Sequence, residues 1–427
     1  MKTNMFTKIT AGITLSLVAS TMLHATNGDT LIAVGAKARG MGGVGIGMSH
    51  GAESALSNPA LITTVEGTEI SFGGTIFMPD ITTTLNSSGF VPPQESYSSD
   101  ADMNMIPEVS LAHKINENWY IGIGMWGTAG MGTDYSSATN TPFTTGQYGN
   151  FNMVTNLQLM QFAVPIAYKT DGFSVAFSPI MQYGNLDINF KMPNATGGLD
   201  NIGAGLAQDF SFGWTIGASY DFHNGLTIGA VYKSSIEMDY DGQIANAAKP
   251  FGLEAIGDTL EQPAEYGIGL SYVMGQHTFA FDYKNIQWSD AKGYSYVGWE
   301  DQDVFALGYQ FSQDNWALRV GYNYASSTVT ELDTTNPATM YANSSKNFFN
   351  LLGFPATQES HLTFGGTYAF NDQFSLDLAY VHGFSNDETF ETPAYAGNPM
   401  LGQGMGIESI TTDHSEDSLS FQLSYKF

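Results

Sequence analysis

The chain reads as an all-β protein, a transmembrane antiparallel β-barrel of about fourteen strands. Three observations predict this. First, the segment from Leu419 to Phe427 alternates strictly between apolar and polar side chains. A strand points successive side chains to opposite faces, so Leu419, Phe421, Leu423, Tyr425 and Phe427 share an apolar face, and Ser420, Gln422, Ser424 and Lys426 a polar one. In an outer-membrane barrel such faces meet lipid and lumen. Second, similar segments recur, most of them long enough for a tilted membrane-crossing strand and longer than ordinary soluble strands. Third, the connections alternate in length. Tight turns at Asn116-Glu117, Asp171-Gly172, Asn224-Gly225, Gly275-Gln276, Gln313-Asp314 and Asn371-Asp372 are separated by mostly long loops, as short periplasmic turns and longer outer loops would be. A propeller or a stacked sandwich has no reason to sort its loops in this way.

Composition agrees. Only 13% of the 427 residues are charged, low for a soluble protein. Beyond the N-terminus no apolar run is long enough to cross a bilayer as a helix, which a barrel does not need because alternate positions are polar. The absence of Cys fits an exported protein without disulfides and excludes thiolate metal sites and Cys nucleophiles. A formal charge of −27 repels nucleic acid, and divalent cations can bridge acidic outer loops to lipopolysaccharide.

In chain order, Lys2 and Lys8 precede an apolar stretch from Ile9 to Leu23 that ends at His24-Ala25, so residues 1–25 read as a secretory signal peptide. Residues 26–67 are crowded with Gly35, Gly40, Gly42, Gly43, Gly45 and Gly47, then carry a short helix around Ala52–Leu56 that stops before Pro59. This segment is too irregular for a strand and too apolar for a tail. A fourteen-stranded lumen is wider than its own side chains fill, so the segment could plug it.

Residues 68–427 form the barrel, with strands beginning near Thr68, Ala101, Asn118, Phe151, Phe173, Asp209, Leu226, Glu265, His277, Asp301, Asn315, Ser360, Gln373 and Ser415. Long loops fall at roughly 81–100, 131–150, 192–208, 242–262, 291–300, 329–359 and 385–414. Strand phase puts Trp316, Leu318, Val320, Tyr322 and Tyr324 toward lipid and Arg319 toward the lumen. By the same logic Lys233, Glu237, Asp239, Asp282 and Lys284 point inward. Pro165 and Pro179 each mark a bulge or an interrupted ladder.

Thr26-Asn27-Gly28, the run Gly35-Ala36-Lys37-Ala38-Arg39-Gly40-Met41-Gly42-Gly43 and Asn58-Pro59-Ala60 resemble the plug region of the FadL/TodX-type outer-membrane transporters. Tyr232-Lys233-Ser234-Ser235, Met238-Asp239-Tyr240, Trp288-Ser289, Asn315-Trp316, Gly366–Phe370 and Tyr380–Gly383 extend the resemblance across the mature chain. It implies a fourteen-stranded barrel closed by an N-terminal plug, or hatch, that takes up long-chain fatty acids or aromatic hydrocarbons. Substrate would be captured by apolar outer loops, passed to an internal pocket, and released by plug rearrangement or through the wall at the third strand. No cofactor and no energy coupling are implied. The terminal strand ending in Phe427 looks like the signal read by the outer-membrane barrel assembly machinery, and a monomer is expected.

Individual residues carry sharper and blander readings. Asn58, Pro59 and Ala60 form a plug element or a plain helix stop. Leu199, Ile202, Phe251 and Leu253 sit in loops apolar enough to contact a ligand, or to cap the barrel by folding over one another. Lys233, Lys284 and Arg319 could meet a carboxylate once water is excluded, or form an ion-pair network with Glu237, Asp239 and Asp282. The acidic Glu300-Asp301, where fatty-acid-transporting relatives tend to be basic, raises the weight of a neutral or aromatic substrate. Gly127, Gly130 and Gly132 after the third strand allow a kink and a lateral opening, or simply begin a loop. The eight His have no metal-ligand spacing, no nucleophile elbow is present, and neither a metal site nor a catalytic residue is expected. A general diffusion porin or a surface-binding barrel is the competing class, and the Gly-rich plug argues against it.

Overall fold

The computed structural model describes residues 26–87, 89, 96–141, 147–194, 196–397 and 404–427. The signal peptide expected at 1–25 lies outside the described residues.

Fourteen antiparallel strands close into a barrel. They are β1 (Thr68–Ser87), β2 (Asn104–Lys114), β3 (Trp119–Met131), β4 (Val154–Ala163 continuing as Ile166–Thr170), β5 (Phe173–Pro193), β6 (Ala207–Asp221) and β7 (Leu226–Lys233). The second half comprises β8 (Glu265–Met274), β9 (His277–Ile286), β10 (Gln302–Gln313), β11 (Trp316–Ala325), β12 (Ser360–Ala369), β13 (Phe374–Glu391) and β14 (Ile407–Lys426). Closure is made by β1, which pairs with β2 on one side and with β14 on the other, from Glu69 opposite Lys426 upward. Closure removes the free edge of the sheet, so the ladder supplies backbone partners that the bilayer cannot.

The alternation decides the faces. Phe210, Phe212, Leu318 and Leu378 point outward, with Phe212 74% and Leu318 58% exposed, whereas Arg319, Asn323, Asp377 and Gln422 are buried in the lumen. That distribution is inverted relative to a soluble protein and fits a wall bathed in lipid.

Four strands outrun the expected boundaries. β1, β5, β13 and β14 have 20, 21, 18 and 20 residues, well beyond the length that crosses a bilayer. Alternation of β-branched and apolar residues continues through Ile81-Thr82-Thr83-Thr84-Leu85, so pairing with β14 runs on to Ser87 opposite Ile407. The last strand therefore begins at Ile407, not near Ser415, and part of the expected 385–414 loop is ladder.

The two prolines behave differently. The ladder of β4 breaks between Ala163 and Ile166, at Pro165. Pro179 stays within an unbroken β5, opposite Trp214, and its carbonyl accepts from Val164 at 3.3 Å. Its missing N–H thus falls beside the β4 break, where the ladder is already interrupted.

Above the barrel the long loops form a lid of their own. Phe251, just after helix α1 (Gln243–Ala248), meets Phe190 of β5 on one side and Phe348 and Phe349 of helix α2 (Met340–Gly353) on the other, with ring centroids 5.5–6.2 Å apart. Residues 26–67 form a set of short turns rather than a strand, hydrogen-bonded to the inward-facing Glu108, Asp282 and Gln422.

Candidate functional site

The plug segment is bonded to the wall nearly all the way round. Asn58 caps the turn Pro59–Thr64 by accepting from Ala60 N at 3.1 Å, while its amide donates to Ile46 O (2.8 Å) and Ala218 O of β6 (3.1 Å). Asp282 of β9 accepts from the backbone amides of Gly45, Ile46 and Gly47 at 2.6, 2.8 and 3.3 Å. Opposite, Glu108 of β2 accepts from Gly35 N (2.7 Å), Gln422 of β14 from Ala36 N (3.1 Å), and Ser418 from the Arg39 guanidinium (2.6 Å).

The wall is incomplete at one place. Pairing between β2 and β3 runs from Lys114 opposite Tyr120 to Glu108 opposite Trp126, and ends there. Beyond it β2 pairs only with β1, through Pro107, which has no N–H for the ladder. On its other side β3 shifts register against β4 between Gly127 and Ala129, a bulge in a run of small residues. The fork so formed is occupied from inside. Leu31 N donates to Thr128 O (3.1 Å) and Gly130 N to Asp29 O (2.9 Å), so Asp29–Leu31 act as a short substitute strand with Thr30 opposite Ala129.

Two cavities flank this substitute strand. The inner one, about 100 Å³, is lined by Ile46, Val231, Lys233, Glu265 and Lys284. The outer one, about 310 Å³, lies at the fork between Phe77, Ile106, Leu157, Met160 and the stretch from Gly127 to Gly132. Leu31 lines both.

Asp29 anchors the substitute strand and is 1% exposed. Its carboxylate accepts from Gln262 Nε2 at 2.8 Å and from the Tyr294 hydroxyl. Burial pushes its carboxyl up to about 6, although both hydrogen bonds pull it back. Tyr294 is wedged against Trp288 and Trp299, with centroids 4.7 and 4.6 Å away, and Trp288 lies over Gly28. Neither Asp29 nor Leu31 stands out in the sequence, although Asp29 is the one acidic residue between Thr26 and Ala52.

The expected site residues fall into three groups. Lys233 and Lys284 reach the inner cavity, where Lys233 Nζ lies 3.2 Å from Glu265 Oε2; among the described residues Lys284 has no ion-pair or hydrogen-bond partner. Arg319 lies away from that cavity, 3.4 Å from Asp377 and bonded to Gln310 at 2.7 Å. Phe251 and Leu253, 1% and 2% exposed, are inside the loop lid, and Leu199 and Ile202 form a half-buried strand against Pro193 and Phe190 at its margin. Gly127 and Gly130 border the fork from within β3, and Gly132 follows its end.

The expected ion network is differently composed. Glu237 and Asp239 sit in a separate hairpin, Ile236–Asp239 with Thr259–Gln262, beyond the end of β7. Glu237 meets Lys292 there, not Lys233. Asp282 spends its lone pairs on the plug amides.

Comparison with known proteins gives one consistent answer. The family model described as outer membrane protein transport protein (OMPP1/FadL/TodX) matches residues 18–427. The 47 kDa outer membrane protein of Pasteurella multocida is 25% identical over 378 residues, covering 81% of this chain and 86% of its own. The long-chain fatty acid transport protein of Escherichia coli O6:H1 is 23% identical over 401 residues, covering 79% and 84%. Among solved structures, the Pseudomonas putida toluene transporter TodX superposes with a TM-score of 0.67 at 17% identity, covering 94% of this chain and 100% of its own. A Pseudomonas aeruginosa FadL homologue gives 0.67 at 14% identity, covering 95% and 100%. The chain is therefore an outer-membrane β-barrel of the OMPP1/FadL/TodX transport protein family.

Proposed function

We propose that this barrel is a passive conduit for hydrophobic molecules. The molecule is captured by the apolar lid around Phe251, Leu253, Leu199 and Ile202, held in the inner cavity, and released sideways through the fork between β2 and β3. One observation carries the reading: Leu31 forms a wall of both cavities, so moving Asp29–Leu31 off β3 joins the inner cavity to the fork. Lateral release suits an apolar cargo, which then never crosses the polar rim of the barrel.

The substrate class favoured is an amphiphile with a single anionic head, of which a long-chain fatty acid is the model. Lys233 and Arg319 already have carboxylate partners, which leaves Lys284 as the cation available in the inner cavity. A half-buried ammonium offset only by the more distant carboxylates of Glu265 and Asp282 is costly, and an incoming carboxylate would relieve that cost. A neutral or aromatic hydrocarbon is the second reading, favoured by the acidic Glu300-Asp301 and by the small volume of the inner cavity. On either reading, Phe427 would be the handle for the barrel assembly machinery, and acidic outer loops would meet lipopolysaccharide through divalent cations.

The test is uptake of radiolabelled oleate and radiolabelled toluene by cells with and without the gene, with liposome swelling in sugars as the porin control. Faster uptake of either lipophile in gene-bearing cells supports the conduit. Swelling with sugars and equal uptake of both lipophiles would replace it with a general porin.

A further inference from the structure

The wall that faces the Gly-rich arc of the plug is itself made of glycine. A Cβ placed on Gly365 of β12 would lie 2.9 Å from the Cα of Gly40, and one on Gly40 would lie 2.8 Å from the Cα of Gly365. A Cβ on Gly308 of β10 would meet Met41 O at 2.7 Å, and one on Gly269 of β8 would meet Gly47 N at 2.6 Å. Gly321 of β11 likewise faces the Met41-Gly42 peptide, and Gly229 of β7 faces the Ile46 carbonyl. These positions are in register: Gly229 lies opposite Gly269, and Gly308 opposite Gly321. The plug backbone thus rests directly on wall backbone, with no layer of side chains between them that could rotate aside.

Polar bonds lock the same contact. Gly42 N donates to Thr363 Oγ1 (2.9 Å), Asn323 Nδ2 to Gly42 O (3.0 Å) and Ser271 Oγ to Gly47 O (2.8 Å), besides the three amides on Asp282. On β11 the next lumen-facing positions are occupied by larger side chains, whereas on β8 the position before Gly269 is another glycine, Gly267. Arg319 and Asn323 flank Gly321, and Ser271 follows Gly269. Sliding the arc along the wall would therefore drive backbone into side chains, and lifting it off would strand several buried polar groups at once.

We propose that this glycine seat is permanent: the arc Gly40–Gly47 stays fixed to β7–β12 and the turn Pro59–Thr64 to β4–β6 while cargo passes, and opening is confined to residues 26–34. The inference rests on the transport reading above, and it excludes expulsion of the plug as the route of release. It also assigns a purpose to the asymmetry of the lumen. The glycine contacts lie along β7–β12, side chains of β1, β2 and β14 hold the rest of the plug, and the fork lies between β2 and β3.

Two measurements test it. In planar bilayers, Gly321→Val should unseat the arc and raise the ionic leak, while the barrel keeps its heat-modifiable band in gels. Gly42→Val, which leaves the wall untouched, should do the same and serves should Gly321→Val not assemble. Conductance as low as wild type in an assembled variant overturns the seat, whatever the cargo. Separately, Thr63→Cys with Ser174→Cys replaces two hydroxyls 2.9 Å apart, in a chain with no other cysteine. The oxidised pair should take up radiolabelled oleate and toluene within about twofold of the reduced pair; a loss of about tenfold that reductant restores overturns the proposal. Should wild type itself take up neither probe above cells lacking the gene, the transport reading fails, while the conductance result still decides the seat.

Discussion

The backbone amide of Leu31 donates to the carbonyl of Thr128 across 3.1 Å, so a residue of the plug segment holds the strand position that β2 gives up in the wall. Residues 29–31 are therefore part of the plug by sequence and part of the wall by hydrogen bonding. This double membership makes them the natural moving part, since only two main-chain bonds tie them to β3.

Pinning that contact should stop release. Thr30 lies opposite Ala129, so Thr30→Cys with Ala129→Cys can form a cross-strand disulfide. Oxidation should lower lipophile uptake by about tenfold, and reductant should restore it. Unaltered uptake in the oxidised state would mean that cargo leaves elsewhere.

Acidity should hold the same segment shut. In the closed state the Asp29 carboxyl sits near 6, above its ordinary value of 3.8, because burial disfavours the charge. Tyr294, Gln262, Tyr240 and Glu265 are the groups around it, and none brings a full positive charge. The closed state binds the proton more tightly than an open, hydrated one. Closure is thus strongest below the ordinary value, weakens as pH rises from about 4 to 6, and changes little above. Flux through proteoliposomes should rise over that window in wild type and stay low and flat in Asp29→Asn. A matching rise in the variant would assign the pH response to another group.

Substrate choice should turn on Lys284. Losing a charge-assisted bond of about 1.5–3 kcal/mol would slow an anionic lipophile by about tenfold or more. Lys284→Ala should therefore impair oleate uptake and spare toluene. Equal losses for both probes would mean that the residue supports the cavity wall and does not recognise the head group.

Asn58 should matter more for tightness than for assembly. Asn58→Ala strands Ile46 O, Ala218 O and Ala60 N in a buried site, a local cost of about 1–3 kcal/mol for an unmet buried group. The barrel ladder does not depend on it, so the folded band should survive while ionic leak increases. Loss of the folded band would place Asn58 in assembly of the barrel itself.

Much of this architecture was legible because lipid and lumen impose a period of two. Trp316 to Tyr324 and Phe279 to Lys284 announce their faces residue by residue, and the tight turns at Asp171-Gly172 and Gly275-Gln276 are equally plain. Where alternation continues past the membrane, as at Thr82–Leu85, nothing local says that the bilayer has ended, so strand ends were misplaced there. The site was legible in part. Gly127 and Gly130 signal a weak wall on their own, but Asp29 and Leu31 acquire a role only when the plug is folded back onto β3. The glycines of the seat were hidden for a related reason. Gly229, Gly269, Gly308 and Gly321 are single residues in separate strands, and only the register gathers them. Ion pairs were the least readable, because Lys233 finds Glu265 across a ladder and not the acids nearer in sequence.

The backbone-on-backbone fit between Gly40–Gly47 and the β7–β12 wall has a consequence for heredity and for engineering. Stopper and half-cylinder are cut to a single template, so neither can drift far alone: a methyl gained on one must be answered by a retreat in the other. Chimeras that transplant only the leading portion from a relative should jam or leak, whereas those that move it together with the wall strands it touches should assemble. Specificity can then be re-bred in the outer lid, which that shared template leaves unconstrained.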